Sequence, residues 1–130
     1  WAHAQELYDS LGLDRINEDR IKNIVIIGNN TFKWCFTVHK KSLPSIRPYL
    51  KLISPSGEIW EYNEFSEEHK IEGLAEEFCQ VVTQVRNIQD VNLKLTGSIA
   101  EEWMSVAQCF AGGAEQPPKP GTRKKIIKNN

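Results

Sequence analysis

The side chains of this chain that could do chemistry are scattered. His3, His39 and His69 stand apart from one another, and each acidic pair, Glu67-Glu68, Glu76-Glu77 and Glu101-Glu102, is adjacent in sequence. Neighbours on a helix diverge by about 100°, so none of these pairs can close into an acid/base dyad, and solvated faces explain them. Cys35, Cys79 and Cys109 are odd in number, widely spaced and without a C-x-x-C pair, which reads as small core residues in a reducing, cytoplasmic setting. Phosphate-binding glycine loops, H-E-x-x-H and G-x-S-x-G are all missing. His3 is the one candidate metal ligand. A carboxylate four positions earlier would share its helical face, but that position precedes Trp1, and a catalytic metal needs three protein ligands.

These residues need elements to hold them. Trp1, Ala4, Tyr8 and Leu11 form an apolar stripe at helical period, closed by Gly12 and lacking a capping residue at its start. The expectation is the last helix of something longer. Asn17 reads as the cap of a second helix running to about Asn30, with Ile21, Ile24, Val25 and Gly28 on one face. Lys33 to His39 alternates, with Trp34, Phe36 and Val38 on one side, and predicts a half-buried strand. Tyr49 to Ile53 and Glu58 to Tyr62 predict a hairpin around Pro55 and Gly57, and His69 to Glu72 a short edge strand.

Leu74, Phe78, Val81, Val82 and Val85 predict an amphipathic helix, and Val91 to Leu95 a further strand. Ser98 and Glu101 fit a capping box ahead of a last helix with Ile99, Trp103, Val106, Ala107 and Phe110 inside and Gly112-Gly113 at its end. The predicted fold class is α+β: a mostly antiparallel sheet of four to five strands covered by helices. Residues 1–12 would be the bundle remnant, 13–113 the α+β domain and 114–130 a disordered, proline-rich basic tail.

A chain of 130 residues suffices for one domain, and its net charge of −1 gives nucleic acid and membrane surfaces no electrostatic hold. The longest β-branched apolar run, Ile24 to Ile27, is far short of the ~18 residues of a membrane span.

Two stretches resemble a known family. Trp1-Ala2-His3-Ala4-Gln5-Glu6, with Leu11-Gly12 after it, resembles the last bundle helix of the DinB-like metal-binding proteins, in the branch of the mycothiol-dependent maleylpyruvate isomerases. That helix carries Glu-x-x-x-His continuing as Trp-x-His-x-x-Asp, and the His falls on His3. Glu77 to Arg86, Leu95-Thr96-Gly97 and Glu102 to Gly112 look like the C-terminal domain of that branch. The resemblance implies a four-helix bundle holding a divalent metal, zinc by preference, followed by a sterol-carrier-like domain. It further implies a metal-bound low-molecular-weight thiolate attacking a small-molecule substrate, as in isomerases and transferases. The branch places an arginine near the site from a Thr-Gln-Arg-Arg-like segment. Here Val85 takes the first arginine position and Arg86 the second, so Arg86 is the implied catalytic anion clamp.

The resulting expectation is a domain inactive on its own, with His3 an orphaned ligand and the missing bundle its partner; a homodimer is left open. Two other classes stay open. One is a non-catalytic module binding small apolar ligands in a pocket lined by Trp34, Phe36, Trp60 and Trp103; the other is an interaction domain docking through its first helix.

Overall fold

In the computed structural model, which describes residues 1, 2, 5 and 18–121, the apolar period after Glu18 becomes helix. A 3-10 turn at Asp19–Ile21 leads into α1, Lys22–Asn30, which buries Val25, Gly28 and Asn29. At the chain start, Ala2 and Gln5 are helical, the Gln5 N–H donates to the Trp1 carbonyl at 3.0 Å, and Trp1 packs on the core. The expectations for His3, Gly12 and Asn17 fall outside the described residues, as do those for the basic residues after 121.

The Lys33–His39 segment is not a strand. Phe32–Val38 forms a second helix, α2, that buries Phe32, Cys35 and Phe36. Spacings of three and four put those residues on one helical face, which packs into the core. Trp34, on the predicted buried side, is 39 % exposed.

The hairpin forms as expected, from β1 (Tyr49–Ile53) and β2 (Ile59–Tyr62), paired antiparallel with Lys51 opposite Glu61 and Leu52 opposite Trp60. Its loop is fastened by Ser54, whose hydroxyl accepts from the Glu58 N–H at 2.9 Å. β3, Lys70–Leu74, is not an edge strand: it lies parallel to β1 and antiparallel to β4, Lys94–Thr96, giving the order β2-β1-β3-β4. The fold class is α+β, and the sheet is mixed because β2 turns back on the outer side of β1 and leaves β1's other edge to β3.

Helix α3, Ala75–Val82, follows β3 directly and is buried nearly all round, which places it in the middle of the domain. Leu74 belongs to β3 and is exposed, so the predicted helical stripe begins one turn late. Gly28 lets α1 approach α3: a Cβ there would lie 2.8 Å from Val82 Cγ2 and 3.1 Å from Phe78 Cε1.

Helix α4, Ser98–Val106, is capped by Gly97 at φ 88°, and Ser98 makes no cap bond. Gly97 presses on the Glu68 carbonyl and the His69 ring, where only a residue without a side chain fits at positive φ. That contact fixes the cap one residue before the predicted capping box. The helix also stops at Val106, short of Gly112-Gly113, because Ala107 is extended at ψ 130°. Trp103 sits at the centre of the core, its ring 4.9 Å from Phe32 and 5.9 Å from Phe78, both edge-on.

Candidate functional site

Arg86 emerges from the end of α3 by a turn that folds the chain back over its own helix. The Thr83 hydroxyl donates to the Cys79 carbonyl at 2.7 Å, and Gln84 takes the left-handed conformation at φ 59°. The N–H groups of Val85 and Arg86 then both reach the Gln80 carbonyl, at 2.9 and 3.1 Å. Left-handed backbone is uncommon for a residue with a side chain. Here the Gln84 amide secures it, donating to the carbonyls of Ala107 at 3.1 Å and Glu115 at 2.9 Å.

The turn returns the Arg86 guanidinium to Gln80, whose Oε1 accepts from Arg86 Nη1 at 3.1 Å. Gln80 is buried at 3 % exposure, so its amide is a fixed post. One turn earlier on α3, Glu77 is buried too, and its Oε2 accepts from the Asn92 N–H at 3.0 Å. Burial pushes the Glu77 carboxyl above the usual carboxylate range; the Asn92 bond and the nearby Arg86 charge pull the other way, and Glu76 adds to the rise. Glu77 is therefore no solvated face. Glu77, Gln80 and Arg86 form a part-buried polar cluster on one side of the central helix.

The other groups proposed for chemistry settle into structural roles. His39 has both ring nitrogens against carbonyl oxygens, Nδ1 to Cys35 at 2.9 Å and Nε2 to Glu115 at 3.0 Å. His69 buries Nδ1 without a hydrogen-bond partner, beside Gly97. Cys35 and Cys79 are buried, and burial raises both thiols; Cys109, partly exposed, is pushed up to about 11. These are thiols, not thiolates, at neutral pH, so the chain's own sulfurs make poor nucleophiles. His3 lies outside the described residues, and among the described residues no three His, Cys, Asp or Glu side chains could share a metal ion. Phe36, Trp60 and Trp103, three of the four residues imagined around an apolar pocket, are buried in the core itself.

Gln108 was not singled out from sequence, yet it organises the C-terminal side. It is fully buried; Nε2 donates to the carbonyls of Phe110 at 3.2 Å and Gly113 at 3.0 Å, while Oε1 accepts from the Glu115 N–H at 2.9 Å. Asn87 holds the Pro118 carbonyl at 3.0 Å, and Asp90 accepts from the Gly121 N–H at 2.9 Å. Residues 114–121, expected as disordered tail, are thus bonded to the domain. A glutamine among Cys35, Trp103 and Ala107 carries no sequence signal beyond its position after the last helix.

Over 121 residues, 93 % of the chain, the sequence is 32 % identical to an uncharacterised protein of Mycobacterium tuberculosis, found under two strains. The match takes in 46 % of that protein, so the chain spans about half the length of the curated relatives it matches. No protein-family model matches the chain, and no solved structure matches it. Among the described residues, no helix is long and apolar enough to cross a membrane.

Proposed function

We propose that this chain is the C-terminal domain of a DinB-like, metal- and thiol-dependent isomerase or transferase, with Arg86 clamping the anionic end of a small substrate or of the thiol. The observation that carries the reading is the posture of Arg86. A guanidinium offers five donors in a planar fork suited to a carboxylate. The buried Gln80 amide accepts from this fork, and together with the Arg86 backbone bond it sets where the guanidinium points. A clamp fixed before its ligand arrives loses little side-chain freedom on binding.

The described residues do not by themselves bring together a metal-holding group. In this proposal His3 is a single ligand, the others come from a helical bundle, and the bound metal would supply an acidified thiol. The chain's own contribution is to bind and orient carboxylate. Its cysteines, two buried and one partly exposed, all with thiols raised by burial, leave the attacking sulfur to an external low-molecular-weight thiol.

Titrating the 130-residue chain with maleate while recording NMR tests the clamp. Shifts should concentrate on Arg86 and Gln80, and Arg86→Ala should weaken binding about tenfold, the order of a charged hydrogen bond. No shift at Arg86 up to millimolar maleate would sink the clamp. Zinc titration tests the orphaned ligand: micromolar binding abolished by His3→Ala would contradict it.

A further inference from the structure

The second surface of interest is the outer face of the sheet. Along each strand, residues alternate between the helices and the outside. Leu50, Leu52, Trp60 and Ile71 turn inward and are buried. Lys51, Glu61, Glu72 and Lys94 turn outward, and the register places them in one row across all four strands: Glu61 opposite Lys51, Lys51 opposite Glu72, Glu72 opposite Lys94. In the order β2-β1-β3-β4 the row reads minus, plus, minus, plus. The adjoining row is apolar. Ile53 pairs with Ile59 on one side and Leu74 on the other, and they are 41 %, 50 % and 42 % exposed.

We propose that this face binds a second copy of the same chain, across a two-fold axis that runs along the strands midway between β1 and β3. Such an axis exchanges β1 with β3 and β2 with β4 while keeping each row at its own level. Lys51 then meets Glu72 of the other copy, Glu61 meets Lys94, and Ile53 meets Leu74. Every charge in the row faces its opposite, because a row reading minus, plus, minus, plus is self-complementary when reversed; Glu72 would add this contact to its 3.4 Å ion pair with Lys70 of its own chain. A two-fold axis across the strands would set Lys51 on Lys51 and Glu72 on Glu72, so the charge order selects one of the two face-to-face arrangements. Packing with strands nearly aligned is also the common geometry of sheet on sheet.

The face is small. Four strands about 4.8 Å apart and about 10–16 Å long give a footprint of roughly 270 Å² per copy, against about 800 Å² in a standard interface. The dimer is therefore weak, concentration-dependent and loosened by salt. It is independent of the thiol-dependent reading, since Arg86 follows α3 on the helical side of the sheet and not on this face.

Sedimentation equilibrium of the 130-residue chain provides the test, with Lys51→Glu and Glu72→Lys as variants and circular dichroism to confirm that each folds. The natural chain should dimerise reversibly. Each single variant sets like charges together twice per dimer and should weaken self-association by at least about tenfold. Mixing the two variants should restore association, as a heterodimer in which every facing pair is again opposite. A natural chain that stays monomeric at millimolar concentration overturns the proposal. So does a dimer indifferent to both substitutions, or a mixture of folded variants that fails to associate.

Discussion

The two faces of the sheet are built from the same strands, one residue out of step, and they hold together by different means. The inner face sets Leu50, Leu52, Ile71 and Trp60 against α3 and the aromatic group of Trp103, Phe32 and Phe78. Its stability comes from area removed from water and from close fit, so a single atom matters. The outer face carries a row of alternating charges beside exposed aliphatic side chains, where water screens each pair and any one contributes little to folding. The lesson is a division of labour: the inner face sets whether the chain folds, and the outer face is left with charge and aliphatic surface that folding does not consume.

Substitutions can break or sharpen that contrast. Trp103→Ala on the inner side should cost most, about 3–5 kcal/mol of unfolding free energy, read by denaturant titration. Gln108→Ala should follow, at about 1–3 kcal/mol, because it removes a fully buried side chain and its three hydrogen bonds to Phe110, Gly113 and Glu115. Its distinctive sign would be faster amide exchange around Glu115. Gly28→Ala gains helix propensity but collides with the stiff Val82 side chain, for a net loss of about 1–2 kcal/mol.

Glu77→Gln should act in the opposite sense. Burial raises the Glu77 carboxyl in the folded chain above its unfolded value of about 4.3, so its ionisation costs stability as pH climbs through the raised value. The amide oxygen of Gln can still accept from Asn92. The variant should therefore melt higher than the natural chain at pH 7, with the advantage gone near about pH 4. Lys51→Ala, on the outer face, should change monomer stability by no more than about 0.5 kcal/mol. A large loss there would erase the contrast between the faces.

Much of this was legible from pattern alone. The hairpin could be read because period-two alternation in Tyr49–Ile53 and Ile59–Tyr62 is separated by Pro55 and Gly57, which suit nothing but a turn. Lys33–His39 alternates equally well and is a helix. Seven residues are too few to separate the two periods, and of the deciding residues Phe32 lies just before the segment and Cys35 on the opposite side of the alternation. The interior place of β3 could not be read, because parallel pairing with β1 spans residues distant in sequence.

At the site, Arg86 was reached through family resemblance. Glu77 and Gln80 were not, since nothing in a polar side chain announces that a helix will be buried on every side. Ser98 and Glu101 carried the right letters for a cap, and the crowding of Gly97 against Glu68 decided otherwise.

The position of Trp103 after all four strands has a consequence for synthesis. The ribosome must deliver Phe32, Phe78 and all four strands before the ring that closes the core exists. Until then two aromatic side chains face water or one another's wrong partners, the condition under which nascent polypeptides stick together. A translational pause just ahead of residue 103 would prolong that hazard, whereas the early hairpin would pass through it unharmed.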